Sequence, residues 1–173
     1  LELEDGSLVR LNAQSYIKYP IEERDRLIVY IDGEGYIKRK DGTLYEPLEI
    51  RTSNGYIVAQ DADFLVRAFK DRLIAVLDQG NLDMFSYNTD GKLTLHRHEN
   101  LGSIVALPDS ENKAKRDTLV FADRMNFEKA SLWTKEVRDY KDYPLRAYVE
   151  EMSRWYGFVI KDWDCFPNNK VVN

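Results

Sequence analysis

The side chains with chemistry to offer are scattered through this 173-residue sequence. His96 and His98 share one face of a predicted strand at a spacing that can chelate a metal, but no Cys lies near and Glu99 is the only adjacent carboxylate. A solvated strand end accounts for them better. Cys165, in "DWDCFP", has no second Cys to bridge, and Asp162 and Asp164 disfavour its thiolate. "DGEG" at 32–35 lacks the glycine spacing and the Lys-Ser/Thr ending of a phosphate loop and reads as a turn. The acidic stretches "IEERDR" and "DWD" contain nothing that would set two carboxyl pKa values apart. Ser7, Ser15, Ser53 and Ser103 lie in no nucleophile elbow. No catalytic residue, cofactor or metal is expected, and the chain does not read as an enzyme.

Binding is better represented. Eleven Tyr and three Trp can build a sugar-binding platform or a protein hot spot, although Tyr16, Tyr30, Tyr36, Tyr45 and Tyr56 sit where strands favour aromatics anyway. A net charge of -5 leaves no electrostatic reason to expect nucleic acid or an anionic membrane as partner. No apolar run approaches the roughly 20 residues needed to span a bilayer. With neither initiator Met nor signal peptide, the sequence reads as a piece of a longer protein.

The elements that must position these residues are mostly strands. Asp-Gly at 5–6, 32–33, 41–42 and 90–91 and Asn-Gly at 54–55 are hairpin-turn dipeptides. Between them Val9, Leu11 and Ala13, then Leu27, Val29 and Ile31, then Phe64, Val66 and Ala68 fall on single strand faces. Leu73 to Leu77 is apolar throughout, as in a strand covered on both faces. The fold expected is mainly β, two-layered or solenoid-like. Pro108 to Asp117 reads as an exposed loop before a strand from Thr118 to Ala122. After Trp133 the period changes: Leu145, Tyr148, Val149, Met152, Trp155 and Tyr156 make one face of a helix opened by Pro144 and stopped by Gly157. A strand candidate, Phe158 to Lys161, follows.

In order along the chain, "DGSLVRLNAQSYIKYP", "RLIVYIDGEGYIK", "PLEIRT" and "IAVLDQGNLDMF" resemble the successive motifs of the FecR domain. "ASLWTKEVRDYKDYPLRAYVEEMSRWYGFVI" is similar to the helix, ending in Arg-Trp-Tyr, that leads from FecR domains of the Bacteroidetes type into a short STN-like module. The resemblance implies a FecR-like β domain over 1–129 and a helix-strand unit over 130–173, the start of a small α/β STN-like module.

What it implies about function is the periplasmic domain of a single-pass inner-membrane anti-sigma regulator. Such a protein senses an occupied TonB-dependent outer-membrane receptor and relays the signal to an ECF sigma factor. The expected partner is the receptor's N-terminal signalling domain, with Trp155, Tyr156, Phe158 and Ile160 as contacts. The sigma factor would be held by a cytoplasmic segment, beyond a membrane span, that precedes Leu1. Some relatives cleave themselves at Gly-Thr; here Asp61-Ala62 stands in its place, and Ala62 has no hydroxyl to attack with. The alternative is a β module that binds carbohydrate or an envelope polymer.

Overall fold

A computed structural model describes residues 1–23, 26–39, 47–69, 72–88, 90, 92–96, 101–108, 115–121 and 127–172. Its strands are β1 (Leu8–Leu11), β2 (Tyr16–Glu23), β3 (Arg26–Lys38), β4 (Leu48–Arg51), β5 (Gly55–Phe69), β6 (Arg72–Ser86), β7 (Lys92–His96), β8 (Leu101–Pro108) and β9 (Lys115–Phe121). All belong to one sheet, antiparallel except where β3 runs parallel to β4.

The long strands β3, β5 and β6 each serve two neighbourhoods. Along one edge β3 pairs first with β2 and then with β1; along the other it pairs with β4 and then β5. Likewise β6 pairs with β8 near its start and with β7 near its end. The changeovers coincide with breaks in the strands: Gly33 (φ 106°) in β3, a register shift between Ala59 and Asp61 in β5, and Gly80 (φ 80°) in β6. A Cβ on Gly80 would stand 1.5 Å from the Asp61 carbonyl oxygen, so the crossing of β5 and β6 admits no side chain there.

These breaks fold the sheet into two wings. The first holds β2, β4 and β7 with the adjoining halves of the long strands; the second holds β1, β8 and β9. Leu27, Val29, Ile31, Leu48, Ile50 and Met84 from the first wing join Ile37, Phe64, Val66, Leu73 and Leu77 from the second in one core. The mainly β expectation holds, and the arrangement is two-layered rather than solenoidal.

The inward side chains change phase at the breaks, from Ile57 and Ala59 to Ala62, Phe64, Val66 and Ala68 in β5. A bulge inserts one residue and so inverts the alternation beyond it. Ala62 takes its place beside Phe64 and Val66 in the core, as its sequence position implies. Leu73, Ala75 and Leu77 face this core while Ile74 and Val76 face a second cluster on the outside of the second wing. Both faces of that segment are covered, as its unbroken apolar run predicts. The second cluster consists of Leu65, Val76, Ala130 and Trp133, with Tyr36, Ile74, Phe127 and Trp155 packed against it.

The cover over that cluster is helical: α1 (Phe127–Ala130), a 3-10 turn (Leu132–Thr134) and α2 (Leu145–Tyr156). Pro144 precedes α2 and Gly157, at φ 71°, ends it by donating its amide to the Ser153 carbonyl. Only a residue tolerant of left-handed backbone closes a helix this way without strain.

Some expectations are corrected. "DGEG" is not a turn but part of β3, because β5 and β1 pair on either side of Gly35. Pro108 and Lys115 pair as the last rung of β8 and β9, so the second of these strands starts before Thr118, while 109–114 lie outside the described residues. Phe158 to Lys161 forms no strand. The Asn54-Gly55 hairpin does form, closed by Thr52 N donating to Gly55 O at 2.9 Å. Asp41-Gly42, Gly91, Tyr45, His98 and Glu99 lie outside the described residues.

Candidate interaction surface

The end of α2 meets the sheet through polar side chains. Glu34 sits on β3 just past the Gly33 break and is wholly buried. Its Oε1 accepts from Arg67 Nε at 2.6 Å; its Oε2 accepts from Asn12 Nδ2 at 2.8 Å and from Arg154 Nη2 at 3.3 Å. Asn12 Oδ1 accepts in turn from Trp155 Nε1 at 2.8 Å. An indole N–H only donates and a carboxylate only accepts, so the Asn12 amide is oriented from both ends. The Arg138 guanidinium lies over the Trp155 ring, 3.5 Å from its centroid.

Backbone contacts tighten the same region. Asn12 N donates to Glu34 O at 2.9 Å, and Glu34 N donates to Ser15 Oγ at 2.8 Å. Arg67 Nη2 reaches the Ala130 carbonyl at 3.4 Å, and Arg10 Nη1 reaches that of Thr134 at 3.0 Å. Burial alone would lower the Arg67 pKa, but the Glu34 carboxylate and, after it, Tyr143 together reverse this and hold the guanidinium above its ordinary value.

The inner face of α2 carries a second carboxyl. Glu151 is buried and accepts from Tyr140 Oη at 2.8 Å. Desolvation pushes its pKa up and the nearby Glu34 charge adds to that; the Tyr140 hydrogen bond and the charges of Arg154 and Arg67 oppose it. Tyr140 itself is raised by burial and by Glu151, and it packs edge-on against Tyr143 and Tyr148. At the other end of the helix, Leu145 N donates to Lys170 O and Val172 N to Tyr143 O, so the tail pins the first turn.

The four residues expected to touch a partner therefore part company. Trp155 is half-buried and engaged with Asn12 and Arg138. Tyr156 is 76% exposed and Phe158 46% exposed, while Ile160 is half-buried. Val159, which sequence reasoning did not single out, is 85% exposed. Among the described residues, the backbone from Phe158 to Lys161 makes no hydrogen bond. An apolar surface and a run of unpaired main-chain groups thus adjoin the polar seat of α2, an arrangement open to strand addition.

Sequence reasoning also missed the network itself. Asn12, Glu34 and Arg154-Trp155 lie in three separate stretches of the sequence, and the fold brings all three together. The signal was present in "LNA", "GEG" and "RWY", but nothing in one sequence says that they meet.

The remaining chemistry-bearing residues stay apart. His96 pairs with Asn81 at 2.9 Å on an exposed rung of β6 and β7. Cys165 is exposed, with its Sγ 3.4 Å from Asp162 Oδ2. Ser7 is buried and donates to Asp5 at 2.7 Å. Among the described residues no His, Cys, Asp and Glu form a group suited to a metal, and no helix is long and apolar enough to cross a membrane.

No family model matches the chain, and no curated protein matches it. Two solved structures share its fold, both of a candidate anti-sigma factor from Parabacteroides distasonis ATCC 8503. The 1.65 Å crystal structure matches with a TM-score of 0.64 at 19% identity, covering 91% of this chain and 69% of that one. The 2.50 Å structure matches with a TM-score of 0.62, also at 19% identity, over 94% of this chain and 75% of that one.

Proposed function

We propose that this chain is the sensing part of a sigma-factor regulator. It works in the periplasm, where it binds the N-terminal signalling domain of a TonB-dependent receptor rather than catalysing a reaction. One observation carries the reading: a chain with the fold of a candidate anti-sigma factor over 91% of its length joins the motif residues Asn12, Glu34, Arg154 and Trp155 in a single network. Within the proposal, contact with an ECF sigma factor belongs to a cytoplasmic segment of the longer protein.

The proposed contact is Tyr156, Phe158, Val159 and Ile160, with the open backbone of 158–161 receiving a strand from the receptor domain. Trp155 serves as the support that fixes where this surface points. The test is calorimetric titration of the chain with the signalling domain of the TonB-dependent receptor encoded nearest to it. Saturable binding is expected, lost in Phe158→Ala and Tyr156→Ala variants whose melting temperature is unchanged. A folded chain that gives no heat with that domain overturns the proposal.

A further inference from the structure

The chain beyond α2 doubles back along the helix. Gly157 closes α2 with its amide on the Ser153 carbonyl, and further on Leu145 N donates to Lys170 O at 2.9 Å and Val172 N to Tyr143 O at 2.8 Å. Between these fixed points one side chain takes hold of the tail. Arg146, half-buried on the first turn of α2, donates from Nη1 to Asn168 Oδ1 at 2.8 Å and from Nη2 to Trp163 O at 3.3 Å. Its guanidinium carbon lies 5.4 Å from the centroid of the Trp163 ring, which meets Phe166 edge-on at 6.2 Å. The part that Arg146 holds is a turn closed on itself, with Asp164 N on Asp162 Oδ1 at 2.9 Å and Phe166 N on Trp163 O at 3.1 Å.

This hold decides how much slack the preceding segment has. Arg146 and Gly157 stand about 16 Å apart along the helix axis at 1.5 Å per residue. Long side chains on a helix lean towards its N-terminus, which does not shorten that distance. The chain from Gly157 to Trp163 reaches at most about 21 Å when fully extended, so the return along α2 takes up most of its length. With Lys170 as the first fixed point instead, about 45 Å of chain would cover about 18 Å and be free to wander. The exposures agree with an extended course: Val159, 85% exposed, stands between Phe158 at 46% and the half-buried Ile160, the alternation of an extended chain. Among the described residues no backbone hydrogen bond of its own keeps 158–161 in that shape.

We propose that Arg146 is a positioning residue: through Trp163 and Asn168 it holds Phe158 to Lys161 extended before a partner arrives. The inference rests on the reading of this segment as the receptor contact. It adds that the ordering is done in the free chain, so that docking loses less conformational entropy.

The test is ¹⁵N relaxation of the free chain, followed by calorimetry. In the parent, the amides of 158–161 should show order parameters near the ~0.85 of rigid backbone; in Arg146→Ala they should fall below about 0.6 while those of α2 and β5 stay high. A loss confined to 158–161 separates positioning from general support of the helix, which would loosen α2 as well. Arg146→Met keeps the stem of the side chain and a helix-forming residue, and gives the same readout if the alanine variant folds poorly. With the receptor's signalling domain, both variants should bind about tenfold more weakly than the parent, the loss falling in the entropy. Mobile amides at 158–161 in the parent, unchanged order parameters in a folded Arg146 variant, α2 loosening together with the segment, or equal affinity of parent and variant for a domain that binds both would each overturn the proposal. A parent that gives no heat with the domain counts against the receptor reading alone, because relaxation needs no partner and still decides whether Arg146 holds the segment.

Discussion

Asn12 bridges two polar partners, the Trp155 indole N–H and the Glu34 carboxylate. Replacing it with Ala leaves the Trp155 indole N–H without its acceptor and leaves Glu34 Oε2 with the longer Arg154 contact alone. The expected cost is about 1–3 kcal/mol, read from the midpoint of urea unfolding. Tyr156→Ala, at a side chain 76% exposed, should move that midpoint hardly at all. Glu151 gives a pH signature. Burial raises its pKa above the ordinary 4.5, so the folded chain holds this proton more tightly than the unfolded one. Its contribution to stability is present below pH 4.5 and is lost as pH rises through the folded value. Glu151→Gln, which still accepts from Tyr140, should therefore melt higher than the parent at about pH 8, and the gain should shrink towards about pH 4. An equal gain at both pH values would show that the carboxylate's charge is not what costs stability. None of this was legible at the residue level: nothing in the sequence near Glu151 says that Tyr140 will cap it or that Glu34 and Arg67 will lie close by.

Among the elements, β6 and α2 make the sharpest predictions. Gly80→Ala pushes a methyl group into the Asp61 carbonyl at positive φ and should cost several kcal/mol, as overpacking and backbone strain combine. Glu34→Ala takes from the half-buried Arg67 and Arg154 a wholly buried carboxylate, at a cost of about 3 kcal/mol. Hydrogen exchange should then rise first in the amides of α2, while β5 and β6 keep their protection. Strand faces and the helix were readable because burial imposes a period of two or of 3.6 on apolar residues. The folding of the sheet on itself was not readable, because a bulge changes the phase of alternation without changing composition. Asp32-Gly33 looks like any hairpin dipeptide, yet β3 runs straight through it, with Asp32 opposite Tyr16 and Gly33 opposite Ala68. Phe158 to Lys161 has strand-forming residues, but no strand among the described residues pairs with it.

At the scale of the whole molecule, the two hydrophobic clusters share β5 and β6: Phe64 and Leu65 are successive residues that face opposite ways, one into each. The sheet and its helical cover should accordingly unfold in one transition. Tryptophan fluorescence, which reports Trp133 and Trp155 in the outer cluster together with Trp163 in the tail, should coincide with far-ultraviolet dichroism across a denaturant series. A fluorescence change at lower denaturant would mark the cover as a separate unit. The side-chain bond from Trp155 to Asn12 spans 143 residues of chain and joins the last helix to the loop just after β1. In mechanical terms that bond is a short circuit. Load carried by the last turn of α2 passes to β1 and β3 through the Trp155 indole and the Glu34 carboxylate, so this turn and the start of the sheet move as one lever arm.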